Sequence, residues 1–294
     1  MSAADPAARP ASVDPSASRI AAGRRGWTAR LAVATLRRDG RIATSYRTGF
    51  ALTAFSSLIN LFGLFFLSGI VQSSAAGPLA TYGGTYFGFI VLGVAFTSFM
   101  ALGVGGLASS VRESQLMGTL EIMVLSPTRL ATLLVFSAIW AHLMGVVSLL
   151  LYVAVGAVLG MPLGAVNLPV AVAGMLLAIV SFNAIGLVAA AVVIVIKQGN
   201  PVSILVSSLS ALLGGVFYPV SVLPEPLRLI GQLVPLTHAL EIERRAVFAG
   251  AGFAELWPSF LALIVLTAIL VPVGVAACRV ALRVALTDGS LAQY

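Results

Sequence analysis

The chain has 294 residues, of which 59% are hydrophobic and only 9% are charged, and its mean hydropathy is +1.05. Soluble domains carry about 25% charged residues, so this composition excludes a fold whose surface faces water throughout. The formal charge of +7 comes almost entirely from arginine, and the single cysteine, Cys278, excludes an intramolecular disulfide. The composition predicts an all-α membrane protein with several spanning helices.

The first 46 residues are the most basic part of the chain. Residues 1–26 are rich in Ala, Pro, Ser and Arg and have no apolar core, so we expect a disordered cytoplasmic tail and not a secretory signal. Trp27, Leu31, Ala34 and Ile42 then fall on one helical face between arginines. This pattern indicates an amphipathic helix at the membrane interface, although a simple topogenic charge cluster explains it equally well.

Six apolar segments follow, each close to the ~20 residues that a bilayer core requires. We expect the spans at about residues 49–71, 86–108, 130–159, 168–196, 201–218 and 258–284. Asn200 and Pro201 have the residue types of an N-cap and a first helical position. Residues 27–290 are therefore expected to form one transmembrane domain.

The distribution of basic residues predicts the orientation. With six spans, fourteen of the 17 Lys and Arg residues fall on one side and only Arg228, Arg244 and Arg245 on the other. Because basic residues accumulate on the cytoplasmic side, both termini are predicted to be cytoplasmic.

A charged island, residues 110–127, interrupts the apolar sequence between spans 2 and 3. Ser110 and Glu113 have the spacing of a capping box, Leu116 and Leu120 share a helical face, and Pro127 disfavours further helix. We expect a short amphipathic helix on the cytoplasmic membrane surface. It either only joins two spans or docks a cytoplasmic partner.

The segment between spans 5 and 6, about residues 219–257, contains several prolines and is nevertheless apolar. We expect two short helices broken at Pro235 that dip into the outer leaflet, and an i,i+4 pair between Glu241 and Arg245. The alternative is a folded external cap with no role in transport.

Catalytic and metal-binding motifs are missing from the sequence. A nucleotide-binding loop needs a Gly-Lys-Ser/Thr sequence, but the only lysine, Lys197, is followed by Gln198. His142 is the only ionisable residue expected well inside a span, and we interpret it as a neutral hydrogen-bonding side chain. Asn60, Tyr152 and Asn183 are interpreted as interhelical hydrogen-bonding residues.

Two groups of residues carry a resemblance to a known family. The first is Arg112-Glu113, Gly118-Thr-Leu-Glu121 and Ser126-Pro127; the second is Gly214-Gly-Val-Phe-Tyr-Pro219, Leu223-Pro224 and Pro235-Leu-Thr237. In this order and topology they resemble the two signatures of type-2 ATP-binding-cassette exporter permeases, over about residues 30–290.

The resemblance implies a non-catalytic permease subunit in the cell membrane. It pairs with a second permease subunit, as a homodimer or heterodimer, and with two copies of a separate ATPase that carry ATP and Mg, so this chain needs no cofactor, metal or nucleic acid. The residues implied to couple to the ATPase are Arg112, Glu113, Gly118, Thr119, Leu120, Glu121, Ser126 and Pro127. The residues implied to form a re-entrant external gate are Phe217, Pro219, Leu223, Pro224, Pro235, Leu236 and Thr237.

The cargo follows from the chemistry of the spans. They carry Ser, Thr, Gly and Asn and no ladder of aromatic residues, which favours a hydrophobic or amphipathic small molecule, as in multidrug efflux. Export of a lipid-linked polysaccharide is the alternative. An intramembrane enzyme or a channel is the alternative from another class.

Overall fold

The computed structural model describes residues 47–79, 82, 85–119, 123, 130–196 and 200–287. All regular elements in these ranges are helical. They are α1 (Arg47–Leu79), α2 (Tyr86–Leu116), α3 (Leu130–Val158), α4 (Leu168–Ile196), α5 (Pro201–Leu213), a 3-10 turn (Val220–Val222), α6 (Glu225–Gln232), α7 (Pro235–Phe248) and α8 (Phe253–Thr287). The predicted tail and interfacial helix lie outside the described residues.

Four helices, α2, α3, α4 and α8, are long and apolar enough to cross a membrane. The apolar part of α1, Phe55–Val71, and the whole of α5 are shorter. These findings confirm an all-α, multi-pass membrane protein, whereas the count of six spans stays a prediction.

The predicted boundaries agree for α4 and nearly agree for α3, but the other four spans differ. Helix α8 begins at Phe253 and not at residue 258. Helix α1 continues past Val71 to Leu79, and α2 continues past Ala108 to Leu116. Helix α5 begins at Pro201, with the Asn200 side chain accepting from the Ser203 N–H at 3.3 Å as predicted. It ends at Leu213 and not at residue 218, because Gly214 and Gly215 (φ +78°) follow and the backbone turns there.

Helices α2, α4 and α8 form the centre of the bundle. A Cβ at Gly186 of α4 would overlap the Gly103 carbonyl oxygen of α2, and a Cβ at Gly274 of α8 would lie 2.5 Å from the Ala184 carbonyl oxygen. The backbones therefore meet almost directly, which is how membrane helices gain packing energy without a hydrophobic effect between them.

Helix α5 lies antiparallel to the first half of α2. The Ser203 hydroxyl near the start of α5 donates to the Val104 carbonyl oxygen at 3.2 Å, while the backbone just after α5, at Val216, lies against Gly93. The last 12 residues of α2 extend beyond the start of α5. At 1.5 Å per residue this extension is about 18 Å long.

Candidate functional site

The end of α2 carries the first half of the predicted coupling residues. The helix stops at Leu116, Met117 is its C-cap, and Gly118 has φ +68°, where glycine is strongly favoured. The Thr119 N–H donates to the Ser114 carbonyl oxygen at 2.9 Å, and the Met123 N–H donates to the Thr119 oxygen at 3.1 Å. The left-handed Gly118 thus marks the break at the end of α2.

The expected helix start at Ser110 is wrong. Ser110 lies in the interior of α2, and its carbonyl oxygen accepts from the Ser114 hydroxyl at 2.8 Å. No Gly or Pro separates it from Ala108, so helical hydrogen bonding simply continues and the capping box has no free N–H to satisfy. The chain breaks its helix at Gly118, two residues after Leu116, and no helix starts at Ser110.

The structure places four of the eight predicted coupling residues. Arg112 is half-buried, while Glu113, Gly118 and Thr119 are exposed. Leu120, Glu121, Ser126 and Pro127 lie outside the described residues. Beside Gly118, Leu116 and Met117 are 65% and 66% exposed, so the end of α2 presents apolar side chains next to a carboxylate. Such a patch is typical of a surface that binds another protein.

Sequence reasoning missed Gln115, which ties this end of α2 to α4. Its side chain is buried, and its Nε2 donates to the Val193 carbonyl oxygen at 3.5 Å, while Oε1 has no hydrogen-bond partner. The available signal was its i,i+4 spacing from the buried Val111, which places both on the core-facing side of the helix. Through this hydrogen bond, a movement of the exposed end of α2 is transmitted to α4.

The segment after α5, residues 214–248, folds into a compact unit that we call the cap. It comprises the 3-10 turn, α6 and α7, and its two helices are separated just before Pro235, as predicted. The Thr237 hydroxyl donates to the Gly231 carbonyl oxygen at 2.6 Å and holds the junction. Among the predicted gate residues, Pro219, Pro235 and Leu236 are buried, Leu223 and Thr237 are half-buried, and Phe217 and Pro224 are exposed.

Arg244 of α7 fixes the cap to α2 and to the end of α5. Its guanidinium is buried and donates to the Phe89 carbonyl oxygen (2.8 and 3.2 Å), to Gly215 O (2.7 Å) and to Val216 O (3.0 Å). Burial lowers its pKa from 12.5 to about 9, so the group stays charged at neutral pH. Sequence reasoning counted Arg244 only as a topology charge, because nothing in the local pattern signals burial.

Glu243, next to Arg244, points to the other side of α7. It is 5% exposed, it lies against Gly174 of α4, and its Oε1 has no hydrogen-bond partner. Burial raises the pKa of this carboxyl well above 4.5. The predicted Glu241–Arg245 pair is present at 3.9 Å, and Arg245 also pairs with Glu255 at 3.4 Å.

The Tyr82 phenol completes the polar side of the cap. It lies beside Glu241, and burial together with this carboxylate raises its pKa above 10.0. Tyr82, Glu241 and Arg244 line a cavity of about 260 Å³ between α5, α6 and α7.

A larger cavity lies between the first three helices. It has a volume of about 550 Å³, and we call it the α1–α2–α3 groove. Its lining residues are Ser56, Ser57, Asn60, Val94, Ser98, Leu102, Met144, Gly145, Val147, Ser148, Leu151 and Tyr152. Gly145 lets α3 approach α2, since a Cβ there would lie 2.7 Å from the Phe99 ring.

The predicted hydrogen bond of His142 is present, whereas the interhelical role expected for Asn183 is not. His142 is buried, and its Nδ1 lies 2.7 Å from the Ala138 carbonyl oxygen. Asn183 donates to Ile179 O of its own helix at 2.9 Å and so does not join two helices, whereas Ser181 and Thr267 hydrogen-bond between α4 and α8. Asn60 is exposed in the groove and bonds to no described residue, so the interhelical role expected for it stays a prediction.

Metal binding finds no support in the described ranges. Within them, no three His, Cys, Asp or Glu side chains come close enough together to hold an ion. The arrangement around the groove and the cap is suited to binding and to movement of helices.

Comparison with known proteins identifies a family. A family model described as "ABC-2 family transporter protein" matches residues 70–276, which include α2 to α7 and most of α8. No curated protein matches the chain.

Proposed function

The chain belongs to the ABC-2 family of transporter proteins and is a permease subunit of that type, and from this premise we propose that it forms the translocation path of an ATP-driven exporter. A separate ATPase subunit, present in two copies, hydrolyses ATP, and a second permease subunit completes the path. The chain is a membrane component without catalytic activity of its own, placed in the cell membrane with both termini in the cytoplasm.

One observation carries the proposal most directly. The last turn of α2 exposes Leu116 and Met117 beside Glu113, and the helix ends at the left-handed Gly118 that follows. An exposed apolar and charged corner of this kind offers a binding surface for a soluble protein. The coupling residues Arg112, Glu113, Gly118, Thr119, Leu120, Glu121, Ser126 and Pro127 surround this corner in sequence, and we propose that they contact the ATPase.

The cap is the proposed external gate. Helix α7 touches α2 through Arg244 and α4 through Glu243 and Ile242, so a change in the angle between α2 and α4 reaches the cap. The proposed gate residues lie in the cap, near these contacts. They are Phe217, Pro219, Leu223, Pro224, Pro235, Leu236 and Thr237. The cargo we propose is a hydrophobic or amphipathic small molecule.

The experiment compares coupling in matched variants. The chain is co-expressed with its proposed ATPase partner and reconstituted in lipid, and ATP hydrolysis is measured with and without transport cargo. Gly118→Pro forces φ from +68° to about −65° and destroys the turn, and Glu121→Arg reverses a charge. Both variants should insert and assemble normally but lose cargo-stimulated ATP hydrolysis.

Arg283→Glu provides the matched control, because it reverses an exposed charge on α8, outside both the coupling residues and the cap. It should retain stimulated hydrolysis. Normal stimulation in both Gly118→Pro and Glu121→Arg would refute the docking role. ATPase activity intrinsic to the purified single chain would refute the division of labour between two proteins.

A further inference from the structure

The α1–α2–α3 groove has the size and composition of a small-molecule site. Ligand pockets usually measure about 300–1,000 Å³ and combine apolar walls with a few polar groups, and the groove measures about 550 Å³. Its apolar walls are Val94, Leu102, Met144, Val147 and Leu151. Asn60, Leu102 and Val147 are exposed on the side of the bundle, so the groove opens laterally.

The polar lining lacks partners inside the protein. Within the described ranges, Asn60 and Ser148 form no side-chain hydrogen bond, although both lie well inside helices of 33 and 29 residues. Ser98 uses its proton on the Val94 carbonyl oxygen at 3.0 Å and keeps its lone pairs free to accept. An amide without a partner in hydrocarbon is costly, so a bound molecule that hydrogen-bonds to it stabilises this arrangement.

The described residues that line the groove carry no charge. None of them is Asp, Glu, Lys, Arg or His. A cation placed there loses its hydration and gains no opposite charge in return, and an anion meets the same penalty. An uncharged group with hydroxyl or carbonyl oxygens finds both donors and acceptors.

We propose that the α1–α2–α3 groove binds the hydrogen-bonding portion of an uncharged amphiphile that enters sideways from the bilayer. This inference rests on the proposed export function and narrows its cargo from amphipathic molecules in general to neutral ones. Asn60 and Ser148 hold the polar portion, and the apolar walls hold the start of the hydrocarbon part.

Two photoreactive probes test the proposal. Both carry a dodecyl chain with a diazirine, and they differ only in the head, which is glycerol in one and trimethylammonium in the other. The permease–ATPase complex in nanodiscs is labelled over a concentration series, and labelled peptides are mapped by mass spectrometry. The glycerol probe should label residues 94–102 and 144–152 saturably, and the ammonium probe should require at least a tenfold higher concentration.

Variants separate the groove from the rest of the surface. Asn60→Leu/Ser148→Val removes two hydrogen-bonding groups at similar volume, and should weaken saturable labelling about tenfold, since each bond contributes about 0.5–1.5 kcal/mol. Ser208→Val makes the same change as Ser148→Val on an exposed face of α5 and should have no effect. Equal labelling by both probes, labelling outside the groove, or unchanged labelling of the double variant would overturn the proposal.

The remaining outcomes are also decisive. If the double variant no longer dimerises while labelling is unchanged, the groove is an interface between two copies and the proposal falls. Failure here leaves the proposed function standing as long as Gly118→Pro uncouples ATP hydrolysis in the same preparations. If Gly118→Pro and Glu121→Arg both stay coupled, the proposed docking role falls even where the glycerol probe binds.

Discussion

The Arg244 guanidinium carbon lies 3.3 Å from the centre of the Phe89 ring, and the same guanidinium donates two hydrogen bonds to the Phe89 carbonyl oxygen. One residue of α2 therefore meets Arg244 with both its ring and its backbone. Gly93, one helical turn later, leaves room for this contact, because a Cβ there would lie 2.6 Å from Nη2 of Arg244. The cap and α2 are joined as one unit at this point.

Arg244→Lys should therefore destabilise the protein strongly. A lysine ammonium cannot reproduce the planar fork that reaches Phe89, Gly215 and Val216, and three buried carbonyl oxygens lose their donor. We expect a loss of about 3 kcal/mol, measured as thermal or denaturant unfolding in detergent. Arg245→Ala is the control and should cost at most about 1 kcal/mol, since its ion pairs are partly exposed to solvent. Equal losses would contradict a special role of Arg244.

Gly186→Ala should separate α2 from α4. The new methyl group would overlap the Gly103 carbonyl oxygen, and backbone cannot move aside as a flexible side chain can. Overpacking of this kind costs about 1–3 kcal/mol. Gly106→Ala on α2 meets open space, so we expect no loss and even a gain of about 0.5–1 kcal/mol from helix propensity. The melting temperatures of the two variants in detergent should move in opposite directions.

The buried Glu243 predicts a pH dependence of stability. Because its folded-state pKa lies above the ordinary value of 4.5, its contribution to stability is greatest below that value and is lost as pH rises through the folded-state pKa. α4, against which it packs, carries no ionisable residue that would offset this change. Melting temperatures of the wild type measured from pH 5 upward should therefore fall.

Glu243→Gln keeps the size of the side chain and removes the titration, so its stability curve should be flatter than that of the wild type. Glu225→Gln alters an exposed carboxylate and should retain the wild-type slope. A wild-type slope that survives in Glu243→Gln would show that another group is responsible.

Reporter fusions test the topology. The charge distribution predicts that reporters after Val71 or Leu163 read external and that reporters at Ser114 or Gln198 read cytoplasmic. The short α5 makes a further fusion at Ser221 informative, which should read external if residues 201–218 cross the membrane. A reversed or mixed pattern would contradict the arrangement with both termini inside.

The sequence predicts the helices well where apolar length and breakers coincide. Leu168–Ile196 follows the expected bounds because Pro and Gly precede it and Lys197 follows it. The sequence-based prediction fails at Ser110, where a polar island resembles a helix start although backbone hydrogen bonding continues unbroken through it. At a membrane surface the sequence becomes polar although the helix continues. Hydropathy alone therefore does not distinguish the end of a membrane span from the end of a helix.

The contacts of the candidate site are harder to predict from the sequence than the helices are. The conformation of Gly118 and the broken segment around Pro235 follow from local residue types. By contrast, the burial of Gln115, Glu243 and Arg244 depends on contacts with residues 78, 69 and 155 positions away, namely Val193, Gly174 and Phe89. A local pattern carries no information about such partners, so it predicts the helix α7 but not which of its charged side chains are buried.

The unbroken course of α2 has a mechanical consequence. Its 31 residues form a rod of about 46 Å with no proline inside, held near one tip by Arg244 and near the other by Gln115. A tilt of about 5° about the midpoint displaces each tip by about 2 Å, the scale of many known helix shifts. The two ends of α2 then move in opposite directions. A displacement of Leu116 is therefore accompanied by a displacement of Phe89 in the opposite direction.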